Sequence, residues 1–88
     1  MSSILVIPNP VSSSSATAVL NLSKEGNASV RITDLSGRTL YKKEVTNLHI
    51  GKNEVILSQL ATLSNGIYMV EADQNGVLIG RGKVVVNK

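Results

Sequence analysis

The sequence predicts an all-β sandwich of about seven antiparallel strands, and three observations lead to this fold class. Val and Ile supply 18 of the 88 residues and Thr supplies five, whereas Phe and Trp are absent, and β-branched residues favour strands. Turn-forming residues recur about every eight to twelve positions, a spacing typical of short-stranded sandwiches. No window has the apolar period of a helix. Because Cys is also absent, one aliphatic core must stabilise a single domain, residues 1–88.

The first three predicted strands come from an apolar run and two alternating segments. Residues 4–7 form the run, which ends at Pro8 because proline cannot donate a hydrogen bond to a neighbouring strand. Residues 17–23 and 28–33 alternate between apolar and polar side chains. Their predicted inward residues are Ala18, Leu20, Leu22, Ala28, Val30 and Ile32. Residues 1–3 precede these strands. They are consistent with three residues added in front of a domain that belongs to a longer chain.

Glycine and acidic residues mark the predicted turns. Residues 24–27 are expected to form a hairpin turn, with Gly26 or the residue after it at positive φ. Asp34 and Gly37 occupy the first and fourth positions of a type I turn. Residues 73–76 repeat this pattern, so a second type I turn is expected there.

The remaining predicted strands are residues 38–45, 54–57, 66–72 and 77–86, with Val55 and Leu57 facing inward. Lys42 and Lys43 indicate that the first of these strands is half solvated at a sheet edge. Residues 46–52 are expected to be a loop, and residues 59–65 a crossover between strands. Gly80 and Gly82, inside the last strand, predict a bulge or a close approach of another backbone segment.

Seven short strands in a chain of this length match the immunoglobulin-like sandwich. Tyr68 supports this fold, because it lies at the sixth strand, after a crossover and two residues before the inward Val70. A tyrosine in that position forms a tyrosine corner in such sandwiches. The alternative is that Tyr68 is only a large core residue, and the sequence leaves both interpretations open.

Charge and hydropathy argue against nucleic-acid and membrane-spanning functions. The net charge is +3, from nine Lys and Arg against six Asp and Glu. The cations are scattered and are not interleaved with aromatic side chains, so no stacking surface for nucleic acid is predicted. The longest apolar stretch, residues 4–7, is far shorter than the roughly 20 residues of a membrane helix. It also lacks the basic and apolar regions of a signal peptide.

No arrangement of residues predicts catalysis, a metal or a cofactor. The single histidine, His49, lies in the predicted loop without the acidic partner that a catalytic base requires. Residues 73–76 resemble the start of a calcium loop, but Val84 stands where the bidentate glutamate is needed. The carboxylates fall on turns or outward strand positions, so we expect solvated surface charges and no enzyme activity.

Four motifs follow one another along the chain in a fixed order. They are Pro8-Asn9-Pro10 beside an apolar strand, Asp34-Leu35-Ser36-Gly37-Arg38, Gly66-Ile67-Tyr68-Met69-Val70, and Lys83-Val84-Val85-Val86-Asn87-Lys88. Each motif alone is weakly specific. Together, over residues 4–88, they resemble the C-terminal sorting domains of proteins that the type IX secretion system of Bacteroidetes exports.

The resemblance implies a signal and not a catalyst. Such domains are immunoglobulin-like sandwiches that pass through the periplasm and direct a fused N-terminal passenger through an outer-membrane translocon. A sortase-like peptidase at the cell surface then usually removes them, as the passenger is anchored or released. The expected locations are therefore the periplasm in transit, and then the cell surface or the medium.

The final strand is the expected recognition element. An exposed terminal strand can recruit a partner by backbone pairing, and basic side chains add electrostatic attraction. The candidate recognition residues are Lys83, Val84, Val85, Val86 and Lys88, with Val84 and Val86 inward and Val85 outward. Residues 8–10 are expected to shape the first strand and the linker, and not to contact a partner. The predicted partners are the translocon and the surface peptidase.

A second interpretation is an immunoglobulin- or fibronectin-like module that binds carbohydrate or a cell-surface protein. Carbohydrate sites usually present aromatic platforms. With no Trp, no Phe and two Tyr, the chain is poorly equipped for that function.

Overall fold

The computed structural model describes residues 2–7, 11 and 15–88, most of which lie in β-strands. The strands are β1 (Ser2–Ser3), β2 (Leu5–Ile7), β3 (Ala16–Leu22), β4 (Gly26–Thr33), β5 (Thr39–Leu48), β6 (Gly51–Leu57), β7 (Gly66–Gln74) and β8 (Val77–Val86). One 3₁₀ helix, Ser58–Thr62, connects β6 to β7. Strong β-propensity and short alternating segments therefore produce an all-β chain.

The strands form two sheets. The large sheet has the order β1-β8-β7-β4-β5, and the small sheet has the order β2-β3-β6. Every strand pair is antiparallel except β1 with β8, which is a two-residue parallel pair. The predicted sandwich of about seven antiparallel strands is confirmed, and β1 adds a short eighth strand.

The core lies between the two sheets and is almost entirely aliphatic. All eight residues predicted to face inward on β3, β4 and β6 are buried. Leu60, on the 3₁₀ helix, is also fully buried and belongs to the same core. Because each fully buried aliphatic side chain contributes about 1.5–3 kcal/mol, this core can stabilise a chain without disulfides.

The predicted hairpin at residues 24–27 is wrong. Strands β3 and β4 lie in different sheets, so the segment between them crosses from one sheet to the other. Gly26 does have positive φ, at 133°, as the turn chemistry predicts. Local turn preference indicates that the chain changes direction here. Which strands then pair in one sheet depends on contacts between residues that are distant in sequence.

The predicted loop over residues 46–52 is also wrong, because β5 and β6 extend into it from both sides. Only His49 and Ile50 connect these strands. The buried Asn53 side chain holds the connection: its Oδ1 accepts from His49 N at 3.2 Å, and its Nδ2 donates to His49 O at 2.7 Å. A second Nδ2 bond, to Gly51 O at 3.2 Å, completes this compact turn.

The β7–β8 turn is tighter than predicted. Asn75 and Gly76 alone connect the strands, with φ values of 51° and 79°. Two central residues at positive φ are required by the type I′ hairpin turn, whose twist matches that of the strands. The Asn-Gly pair therefore indicates the type of this turn, and the pattern of Asp at the first and Gly at the fourth of residues 73–76 does not.

Two expectations about strand position are confirmed. Strand β5, which carries Lys42 and Lys43, is the edge of the large sheet. Gly82 lies under another backbone segment, since a Cβ atom at this position would be 2.1 Å from the carbonyl oxygen of Ile4. A bulge also occurs in β8. Ala72 of β7 lies opposite Gly80, whereas the next residue, Asp73, lies opposite Leu78, so β8 has one extra residue at this point.

Candidate functional site

Strand β8 does not present an open backbone edge, contrary to the expectation from sequence. The N-terminal segment pairs with it at both ends. Ile4 N donates to Arg81 O at 3.0 Å, next to the β1–β8 pair, and Val11 N donates to Val85 O at 2.7 Å. Asn87 N in turn donates to Val11 O at 2.9 Å. Recruitment of a partner by simple pairing with this edge is therefore blocked at these positions.

The side chains of β8 alternate as predicted. Val84 and Val86 are buried in the core, with 0% and 1% exposure. Val85 is half-buried and Lys83 is exposed, both on the opposite face. The residues that can meet a partner directly are thus Lys83 and Val85, whereas Val84 and Val86 fix the position of the strand.

Lys88 makes intramolecular contacts that the sequence did not indicate. Its backbone N donates to Asn65 Oδ1 at 2.9 Å. Its Nζ donates to Leu63 O at 2.7 Å and to Ala61 O. Lys88 therefore attaches the end of β8 to the segment that connects the small sheet to the large one.

A row of alternating charges crosses the outer face of the large sheet. Register places Arg31, Glu71 and Arg81 side by side on β4, β7 and β8. Arg31 contacts Glu71 and Asp73, both at 3.0 Å, and Arg81 contacts Glu71 at 2.9 Å. Sequence reasoning missed this network because it joins residues up to 42 positions apart. The sequence does show outward charges of opposite sign on these three strands. Which of the charges become neighbours depends on the order in which the strands pair.

The turn before β5 is organised by one carboxylate. Asp34 Oδ1 accepts from Ser36 Oγ at 2.6 Å and from the backbone N of Ser36 and of Arg38, both at 3.0 Å. These bonds, led by the Ser36 hydroxyl, lower the pKa of Asp34 below its ordinary value. Gly37 N donates to Asp34 O at 3.1 Å, and Gly37 has a φ of 92°, which favours glycine.

Tyr68 forms the predicted tyrosine corner. Its hydroxyl donates to the carbonyl oxygen of Ser64, four residues upstream, at 2.7 Å. The ring packs beside Gly66, where an added Cβ atom would lie 3.6 Å from the Tyr68 hydroxyl oxygen. Val70, two residues further, is completely buried. Tyr68 thus joins β7 to the crossover as well as contributing to the core.

The described residues contain no group of three or more metal-binding side chains. His49 is exposed and lies beside Asn53 at the β5–β6 connection. No helix within residues 2–7, 11 and 15–88 has the length and apolar composition needed to cross a membrane.

Comparison with protein families identifies the chain. Residues 5–87 match the family model described as the secretion system C-terminal sorting domain. The chain belongs to this family. No curated protein and no solved structure matches it. The resemblance to type IX sorting domains is therefore confirmed, and the protein is a C-terminal sorting signal of a non-catalytic family.

Most of the motif residues of this sorting domain have structural roles. Asp34 and Gly37 form the turn before β5, and Gly66, Tyr68 and Val70 form the corner and the adjacent core. Pro8, Asn9 and Pro10 lie outside the described residues. Ile67 and Met69, between the motif positions of β7, lie opposite Val85 and Lys83 of β8.

Proposed function

We propose that the chain is a non-catalytic signal that directs a fused N-terminal passenger across the outer membrane by type IX secretion. In this proposal a sortase-like peptidase removes the domain at the cell surface. The observation that carries the proposal is the family match over residues 5–87, supported by a folded sandwich that could enter a secretion complex as one unit. The domain would pass through the periplasm and reach the cell surface or the medium.

The proposed recognition element is the last strand, residues 83–88, acting through its outer face. Lys83 and Val85 are accessible there, whereas Val84 and Val86 anchor the strand in the core. Lys88 positions the strand by its contacts with the crossover. A partner would contact side chains that the fold holds in place, because the N-terminal segment already pairs with the backbone edge of β8.

The proposed test is a secretion assay. Residues 1–88 are fused behind a signal peptide and a fluorescent passenger in a bacterium with an active type IX system. A strain that lacks the translocon is the control. We expect the passenger at the surface or in the medium of the competent strain only. A folded fusion retained in the periplasm of both strains would contradict the proposal and favour an adhesion module.

Deletion of residues 83–88 is not a suitable test. It removes Val84 and Val86, two fully buried side chains, from the core. Large-to-small changes at such sites cost several kcal/mol. Loss of export after this deletion would therefore follow from unfolding as readily as from loss of a recognition element.

A further inference from the structure

We propose that Asn75 is a site of spontaneous covalent modification, at which the folded domain converts asparagine into aspartate and isoaspartate. The reaction needs only water and the backbone nitrogen of Gly76, and it does not depend on the proposed secretion function. The sequence contains two Asn-Gly pairs, Asn65-Gly66 and Asn75-Gly76. The fold leaves the second pair open to this reaction and protects the first.

The chemistry is an intramolecular substitution at the side-chain amide. The amide nitrogen of Gly76 loses its proton to hydroxide and attacks Cγ of Asn75, the bond between Cγ and Nδ2 breaks, and the leaving nitrogen takes a proton from water to become ammonia. Water then opens the resulting five-membered succinimide. Cleavage between Cγ and the ring nitrogen gives aspartate, whereas cleavage between the backbone carbonyl carbon and the ring nitrogen gives isoaspartate. Glycine favours the attack because no Cβ atom shields its nitrogen.

Asn75 and Gly76 meet both requirements of this reaction, a free side-chain amide and a free backbone nitrogen. They are the two exposed residues that connect β7 to β8. Within the part of the chain that the structure describes, neither the Asn75 side chain nor the Gly76 nitrogen has a hydrogen-bond partner. The last strand pair before the turn is Gln74 with Val77. Exposed loop tips open at low free-energy cost, so the Gly76 nitrogen can reach Cγ.

Asn65 and Gly66 are held by hydrogen bonds that the same attack would break. Asn65 Oδ1 accepts from the backbone N of Lys88 at 2.9 Å. Gly66 lies opposite Val86 in the register of β7 with β8. Because Val85 O is hydrogen-bonded on the other edge of β8, the alternation of an antiparallel ladder makes Gly66 and Val86 a hydrogen-bonded pair. Both reacting groups of the Asn65-Gly66 pair are therefore engaged.

Modification at Asn75 would alter the hairpin that leads into β8. Either product adds a carboxylate and lowers the net charge of +3 by one. Isoaspartate also adds a methylene carbon to the backbone path through the turn. The type I′ turn requires two residues of ordinary backbone length, both at positive φ. We therefore expect the isoaspartate product to weaken the pairing of β7 with β8.

The test is ageing of the purified chain at mildly alkaline pH, both folded and in denaturant, followed by peptide mass spectrometry. Cleavage after Glu54 and Glu71 places Asn65 and Asn75 in separate peptides, and fragmentation of each peptide identifies the converted residue. In the folded protein we expect conversion at Asn75 to be about tenfold faster than at Asn65, because hydrogen bonds must break at Asn65 only. In denaturant both pairs are released, so we expect nearly equal rates.

The variant Asn75→Gln is the matched control for the effect on the hairpin. Glutamine keeps the side-chain amide, but its longer side chain cannot form the five-membered ring. We expect the aged unmodified domain to unfold at a lower temperature than a fresh sample. The aged Asn75→Gln variant should unfold at the same temperature as its own fresh sample.

The rates in the folded protein decide whether the fold selects the site. Equal conversion of Asn65 and Asn75 would contradict the assigned protection of Asn65. Conversion of neither residue, over a time in which both convert in denaturant, would show that the turn is protected as well and would overturn the proposal. An equal fall in unfolding temperature for aged Asn75→Gln would contradict the expected effect on the hairpin.

Discussion

Gly82 determines how the N-terminal segment lies on β8. A Cβ atom there would meet the Ile4 carbonyl oxygen at 2.1 Å, and Ile4 N is hydrogen-bonded to the neighbouring Arg81. We expect Gly82→Ala to lower the free energy of unfolding by about 1–3 kcal/mol, because backbone must move to admit the methyl group. Chemical denaturation measures this change.

Gly66→Ala is the matched control for Gly82. It lies in the adjacent strand, and its added Cβ atom would be 3.6 Å or more from its neighbours, an ordinary contact. This variant is expected to keep the stability of the unmodified protein or to exceed it slightly, since Ala restricts the unfolded chain. Equal stabilities of Gly82→Ala and Gly66→Ala would contradict the described position of Ile4.

The hydroxyl of Tyr68 gives a second prediction at this scale. Tyr68→Phe removes the bond to Ser64 O and keeps the ring, so we expect the free energy of unfolding to fall by about 0.5–1.5 kcal/mol. Tyr41 also packs against the core, but its hydroxyl has no partner among the described residues. Tyr41→Phe should therefore leave the unfolding free energy unchanged, and an equal loss in both variants would argue against the tyrosine corner.

Asp34 predicts a specific pH dependence. Its pKa is lowered in the folded state, chiefly by the Ser36 hydroxyl, so the ionised carboxylate stabilises the fold at pH values above its unfolded pKa. This stabilisation is lost as the pH falls through the folded pKa. The difference in unfolding free energy between the unmodified protein and Asp34→Asn should therefore shrink in acid. A difference that is constant with pH would contradict this account.

At the scale of the elements, Lys43 bridges two neighbouring edge strands of the sandwich, β5 and β6. Strands β5 and β6 are edges of different sheets. Lys43 lies opposite the buried Val30, so its side chain starts on the core side of β5. Its Nζ donates to Ile56 O on β6 at 3.4 Å. An inward-pointing lysine at a sheet edge opposes pairing with another chain.

We therefore expect Lys43→Val to increase self-association. Sedimentation velocity over a range of concentrations should show larger species than for the unmodified protein. Lys42→Val changes the same charge one residue away, on the outer face, and should associate no more than the unmodified protein. If the two variants behave alike, edge protection by Lys43 is not the cause.

Individual elements were predictable from sequence where the signal was local. Alternation identified the inward residues of β3, β4 and β6, because burial of one face imposes a two-residue period. The β3–β4 connection and the Arg31–Glu71 ion pair were not predictable, since both depend on which strands become neighbours. The contacts of Lys88 depend similarly on the crossover it reaches.

At the scale of the whole molecule, the N-terminal segment joins the two sheets. Strand β1 pairs with β8 in the large sheet, whereas β2 pairs with β3 in the small sheet. Val11 then returns to β8. Ile4, Val6 and Val11 are all buried in the core, and three such side chains contribute together about 5–9 kcal/mol. This amount is comparable to the total stability of a small domain, so the backbone edge of β8 becomes available only when much of the fold is lost.

The signal is accordingly expected to reside in the folded domain and not in a linear C-terminal peptide. Leu20→Ala removes a fully buried side chain and should cost about 2–5 kcal/mol. Leu5→Ala removes the same atoms from an exposed position and should change stability little. Both variants keep residues 83–88 unchanged.

The decisive measurement is the exported fraction of a fluorescent passenger fused to the unmodified chain, to Leu20→Ala and to Leu5→Ala, in type IX-competent and translocon-deficient bacteria. We expect translocon-dependent export of the unmodified and Leu5→Ala fusions, and loss of export for Leu20→Ala at temperatures where it is unfolded. Full export of an unfolded Leu20→Ala fusion would contradict a fold-dependent signal, and translocon-independent export of all three would contradict the sorting function.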